Sequence, residues 1–136
     1  MKIIVCLDNT DGMLFNRRRQ SKDAAVCGDI LALSADSLLW MNGYSAGQFA
    51  TTGNNVVTDE AFLEKAKEQD YCFVENADVS AYADQVSRVI IYRWNRDYPA
   101  DVHFPTELFC HRWKPVSRDE FAGNSHETIT REVYDL

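Results

Sequence analysis

No stretch of this sequence is long and apolar enough to span a membrane. The run after Lys2 covers only residues 3–7, too short for a secretory leader as well, so a cytoplasmic protein with no membrane partner is expected. A basic excess is missing too. Fourteen Lys and Arg against 21 Asp and Glu leave a net charge of −7, which argues against a general nucleic-acid partner. Only a local patch such as Arg17-Arg18-Arg19 escapes that argument. The four cysteines (Cys6, Cys27, Cys72, Cys110) show no CxxC spacing, and three of them lie in apolar segments; they read as reduced, buried thiols. His103, His111 and His126 lack metal-ligand spacing, and no HxHxDH cluster exists, so neither a metal site nor metal-dependent ribonuclease chemistry is expected. GxSxG, a P-loop and a Cys-His pairing in a suitable context are absent as well. Repeats, low-complexity segments and linkers are also absent. At 136 residues, 46% hydrophobic and 26% charged, the chain is read as one globular domain rather than a disordered one.

What is present begins with residues 2–21, KIIVCLDNTDGMLFNRRRQS. Ile3, Ile4, Val5, Cys6 and Leu7 form a continuous apolar run that ends in the polar turn Asp8-Asn9-Thr10-Asp11-Gly12. Such a run fits a central strand covered on both faces, and ligands of open α/β sheets gather beyond the carboxyl ends of such strands. The segment after Gly12 reads as a loop carrying Met13, Leu14, Phe15 and the three arginines.

Ser21 is the expected N-cap of a helix over 22–33, with Ala24, Ala25, Cys27, Gly28, Leu31 and Ala32 on its small or apolar face. Further strands are expected at 37–42, 56–57, 71–76 and 88–96. Residues 51–55 read as a polar loop, Thr58 as the start of a helix, and 80–87 as a short helix. Residues 111–116 and 128–134 are expected to pair as a terminal antiparallel hairpin around 117–126. Arginines 88, 93 and 96, interleaved with aromatics, read as rim charges around core rings or as a base-stacking surface. Glu75 and Asp101 make a carboxylate pair only if the fold joins two strand ends.

This order of elements resembles dihydrofolate reductase. The opening strand and Gly12-Met13 resemble that family's first strand and mobile active-site loop. Leu38-Leu39-Trp40-Met41-Asn42-Gly43-Tyr44-Ser45 resembles its V-I-M-G-R-x-T segment, and Ala100-Asp101-Val102-His103-Phe104-Pro105 is similar to G-D-T-x-F-P. Trp113-Lys114-Pro115-Val116, Asn124-Ser125-His126 and Arg131-Glu132-Val133-Tyr134 look like the final hairpin. The resemblance implies a three-layer α/β fold: a mixed, mostly parallel sheet, helices on both faces, and an antiparallel C-terminal hairpin.

The departures bear on function. The chain is shorter than the family's usual length, with the shortfall between Phe49 and Tyr71, where the family carries a strand and loop holding the adenosine and 2′-phosphate of NADPH. Tyr44 and Ala46 stand where the family has its phosphate-holding arginine and threonine, and Glu75-Asn76 where it has Gly-Gly. A carboxylate there is expected to repel pyrophosphate. Arg18-Arg19-Gln20 replaces L-P-W. No cofactor is therefore expected, NADPH included.

The implied proton-delivering acid is Asp29, with Asp23 second; helical spacing sets Asp29 beside Val26 and Leu33. The expected ligand is small and planar, a nucleotide or pterin-like molecule, with the three arginines leaving room for an anionic group on it. Leu7, Asp8 and Phe15 would form the floor of its pocket and Arg17, Arg18 and Arg19 a charged rim. Asn42, Gly43, Ser45, Glu75 and Asn76 would add contacts at the strand ends. Two alternatives stand beside this reading: an active NADPH-dependent reductase with an altered cofactor site, and a non-catalytic scaffold working as a homodimer that buries Trp40 or Trp94.

Overall fold

The computed structural model describes residues 1–49 and 55–136. The expected polar loop at 51–55 therefore lies outside the described residues except for Asn55. Strand β1 (Lys2–Leu7) is the centre of a seven-stranded sheet, as its unbroken apolar run requires. On one side it pairs in parallel with β6 (Tyr71–Phe73), which pairs in parallel with β4 (Leu39–Met41), and β4 with the edge strand β5 (Val56–Thr58). On the other side it pairs in parallel with β7 (Arg88–Arg93). Beyond β7, β10 (Ile129–Asp135) runs antiparallel, followed by β9 (Lys114–Phe121). Only β10 opposes the rest, so the mixed, mostly parallel sheet with a C-terminal antiparallel hairpin is present as expected.

Alternation along the strands divides the core into two layers. Ile4, Phe73, Ile90 and Tyr92 face helix α1 (Ala24–Leu33) through Val26 and Ile30, with Phe49 closing the far end. Ile3, Val5, Leu7, Val89 and Ile91 face the single-turn α3 (Phe62–Lys65), the 3₁₀ turn Ser80–Gln85, and the stacked Phe104 and Phe109.

Several local expectations shift. The N-cap of α1 is Asp23 rather than Ser21: its extended backbone lets Oδ1 accept from the Ala25 amide at 2.8 Å and the Val26 amide at 3.4 Å. Thr58 closes β5, because Asp59 takes the Ala61 amide in a turn and postpones the helix to Phe62. The strand expected to reach Arg96 ends at Arg93, since Asn95 has a positive φ of 59°. The terminal hairpin is longer than expected, with its first strand running on to Phe121.

The segment after Gly12 is a hairpin, not a loop. Strands β2 (Gly12–Phe15) and β3 (Arg18–Arg19) pair antiparallel, and β8 (Val102–His103) adds to β2 in a separate three-stranded sheet. Burial of Met13 and Leu14 anchors this ribbon against the main sheet. Its tip, Asn16-Arg17, has positive φ at both residues, as a two-residue hairpin turn of the right twist demands. Among the described residues between α1 and β5 is the short helix α2 (Gly43–Ala46), capped by Asn42.

Candidate functional site

Two cavities flank the Arg19–Glu75 pair: Arg19 lines the larger, and Glu75, just past the end of β6, lines the smaller. Arg19 on β3 reaches the end of β6 and grips Glu75 with two hydrogen bonds, Nε to Oε2 at 2.9 Å and Nη2 to Oε1 at 3.2 Å. The Glu75 side chain is 7% exposed, so the pair is largely withdrawn from water and its paired geometry is what makes the burial tolerable. The same guanidinium lies over the Tyr44 ring at 4.3 Å and donates to the Tyr44 carbonyl at 3.1 Å, while the Arg19 amide donates to the Tyr44 hydroxyl at 2.9 Å. One side chain thus ties the β2–β3 ribbon to both the central sheet and α2. Asn42 and Asn76 add a link between β4 and β6, Nδ2 to Oδ1 at 2.7 Å.

The larger cavity, about 700 Å³, lies between β3, the start of α1 and α2. Its wall includes Arg18, Arg19, Lys22, Tyr44, Gln48 and Cys27. Arg18 and Lys22 make no ion pair among the described residues, so the cavity mouth carries uncompensated positive charge. Burial pushes the Cys27 thiol up to about 11, with nearby Glu75 and Asp23 adding to the shift, and so keeps it protonated at neutral pH. The smaller cavity, about 320 Å³, lies on the other side of Glu75 among Met13, Asn76, Ser80, His103 and Pro105.

Asp23, on the wall of the larger cavity, belongs to a buried Asp-His pair. The Asp23 carboxylate accepts from the amides of Asn124 at 2.9 Å and Ser125 at 2.9 Å and from His126 Nδ1 at 3.0 Å, besides capping α1. Burial alone would raise its pKa; the hydrogen bonds from Asn124, His126, Ser125 and Ala25 outweigh that and hold the carboxyl far below the usual range. Trp94 stacks on the His126 ring at 4.6 Å between centroids. The loop can approach so closely because residue 123 is glycine: a Cβ there would stand 2.5 Å from the His126 carbonyl oxygen and 2.7 Å from Asp23 Oδ2.

The architecture can be compared with known proteins. No protein-family model matches the sequence, and no curated protein is similar to it. Among solved structures, this chain is similar to dihydrofolate reductase from Enterococcus faecalis in complex with NADP(H) and RAB-propyl. The TM-score is 0.68 over 98% of this chain and 94% of that one, at 10% identity. The fold is that of dihydrofolate reductase.

Within this dihydrofolate-reductase fold the expected site residues part company. Arg19, Asn42, Glu75 and Asn76 gather at the ends of β4 and β6, and Arg18 lies on the wall of the larger cavity. Ser45 is buried beneath them, its amide bound by Asn42, and the Gly43 amide is held by Glu60. Leu7 and Asp8 are fully buried at the end of β1. Asp8 organises the turn, taking the amides of Thr10 and Gly12 at 2.8 Å each and Gln20 Nε2 at 2.9 Å. Burial opposes its ionisation, but these bonds keep its pKa below the usual range. Phe15 is half exposed on the ribbon, and Arg17 sits at the tip, outside both cavities.

Asp29 also lies outside both cavities. It accepts from the Tyr92 hydroxyl at 2.6 Å and from Arg131 at 2.6 Å, facing the C-terminal strands. Glu75 is paired with Arg19 rather than with Asp101, whose carboxylate accepts from the Asn16 amide. Trp94 is buried within the chain, and Trp40 donates to Asp70 at 2.9 Å. The sequence reading missed Lys22, Ser21, Tyr44 and His126 as cavity or network residues. Nothing local marks them, because the partners of His126 lie more than a hundred residues away in the chain at Ser21 and Asp23. No group of three or more potential ligands capable of holding a metal ion occurs among the described residues, and none of their helices is long and apolar enough to cross a membrane.

Proposed function

We propose that this protein binds a small, planar, anionic molecule, of nucleotide or pterin-like chemistry, in the cavity between β3, α1 and α2. The observation that carries the reading is the combination on one wall of the Tyr44 ring with its stacked Arg19 and, at the mouth, the unpaired Arg18 and Lys22. A flat ligand stacks on such a platform while its anionic end meets the guanidinium and ammonium groups. The dihydrofolate-reductase fold supports looking there, as a fold-level analogy only.

Two further observations favour binding without the usual reductase chemistry. A dinucleotide phosphate approaching the end of β6 meets Glu75 already locked to Arg19, and must break that pair or pass around it. Neutralisation by Arg19 means that simple charge repulsion is not the obstacle; occupation of the crevice is. The carboxylate on the wall of the larger cavity is Asp23, and its hydrogen bonds hold it ionised, a poor source of protons.

The test is thermal unfolding in the presence of NADPH, NADP, dihydrofolate and a panel of nucleotides. A ligand at about 100 times its Kd adds about 2.7 kcal/mol of apparent stability. Stabilisation by dihydrofolate or a nucleotide, lost on reversing charge at Arg18 and Lys22, is the expected result. Stabilisation by NADPH with oxidation of the cofactor would establish a reductase instead, and no response to any compound would favour a scaffold.

A further inference from the structure

The larger cavity holds a feature that ligand binding does not need. His126 Nδ1 is 3.0 Å from Asp23 Oδ2, and on the opposite edge of the ring Nε2 is 3.1 Å from the Ser21 hydroxyl. The Asp23 and His126 side chains are 0% and 2% exposed, while Ser21 lies on the cavity wall. A buried, ionised carboxylate accepting the Nδ1 proton fixes the imidazole tautomer, leaving Nε2 as a base beside two hydroxyls, those of Ser21 and Tyr98. We propose that Ser21, His126 and Asp23 form a nucleophilic triad that takes the acyl group of a small carboxylic ester entering the larger cavity.

Several details fit this chemistry. Trp94 stacked on one face and the multiple bonds to Asp23 hold the imidazole ring in one orientation. Tyr98 also reaches Nε2, at 3.0 Å, but it lines a neighbouring cavity of about 300 Å³ rather than this one, so Ser21 is the hydroxyl that a molecule in the larger cavity meets. The amides of Lys22 and Ala24, flanking Asp23 at the start of α1, have no hydrogen-bond partner among the described residues, leaving donors beside Ser21 for a developing oxyanion. Arg18 and Lys22 favour an ester with an anionic end. Cys27, the other nucleophilic side chain on the wall, is protonated at neutral pH.

The step balances within these groups. Ser21 Oγ bonds to the ester carbonyl carbon as its proton passes to His126 Nε2. The tetrahedral intermediate then expels the alcohol, which leaves with that proton. A water molecule attacks the acyl-serine in the same manner, releasing the carboxylic acid and restoring the triad.

This inference goes beyond the ligand reading: it requires that a small ester reach Ser21, not that a nucleotide or pterin bind. The experiment treats the full chain with diisopropyl fluorophosphate, in which Ser21 Oγ would bond to phosphorus, fluoride would leave and His126 would take the proton. Adducts are located by peptide mass mapping, and the exposed Ser117 on β9 serves as the internal reference. The expected result is one adduct on Ser21, formed at least about 100-fold faster than on Ser117, absent in Ser21→Ala and slowed about 100-fold in His126→Gln. Circular dichroism of each variant confirms folding, and hydrolysis of p-nitrophenyl acetate should fall in parallel. Labelling of Ser21 no faster than Ser117, or equal labelling in a folded His126→Gln protein, would overturn the triad. Thermal shifts by dihydrofolate or nucleotides, measured separately on Ser21→Ala, keep the two readings distinguishable.

Discussion

Arg17 has a φ of 63° and Asn16 one of 53°, a geometry that costs arginine more than asparagine. Arg17→Gly should therefore stabilise the protein by about 1 kcal/mol, read as a higher denaturation midpoint, whereas Arg17→Ala should give no such gain. Asp23 makes the opposite kind of case. Its carboxyl is held below its unfolded value of about 4, so its stabilisation is complete above that pH and is lost as pH falls toward the folded value. Asp23→Asn should cost about 2–4 kcal/mol at pH 7, because amide acceptors and donors cannot reproduce the full set of bonds. The deficit should shrink as pH falls below about 4. Urea unfolding at pH 7 and at pH 3 checks both statements. At this scale the sequence was least informative: Asp29 and Asp23 are both acids on or beside one helix, and only packing decides which faces a cavity. Asp29 is taken by Tyr92 and Arg131, partners 63 and 102 residues away.

At the scale of elements, β1, β4, β6 and β7 were legible because their apolar runs are continuous, and β1 could be read almost residue by residue. The β2–β3 ribbon was not, since Arg17-Arg18-Arg19 looks like a solvated loop and the pairing of Gly12-Met13-Leu14 with Val102-His103 is non-local. What fastens that ribbon is Arg19 on Glu75 and Tyr44. Removing one partner leaves the other charge largely buried, so Glu75→Gln should cost about 1–3 kcal/mol, less than a fully buried pair because Arg19 is 23% exposed. Amide exchange in residues 12–19 should rise more than in β1, which hydrogen–deuterium exchange would resolve. Uniform exchange across both segments would show that the ribbon does not depend on this pair.

For the whole molecule, the motifs in order carried the fold: the strand order and the antiparallel final hairpin agree with the dihydrofolate-reductase architecture. The candidate site was legible only as a set of separate residues. The arginines were visible in the sequence, but their division into a turn residue, a cavity-mouth residue and an ion-pair partner is set by the ribbon's twist. The central claim is that a flat anion binds between β3, α1 and α2. Its most direct test is to follow backbone amide resonances while dihydrofolate or AMP is added. The account predicts saturable shifts centred on Arg18, Lys22, Ala24 and Tyr44; shifts confined to the smaller cavity around Asn76, Ser80 and His103, or none with either compound, would contradict it.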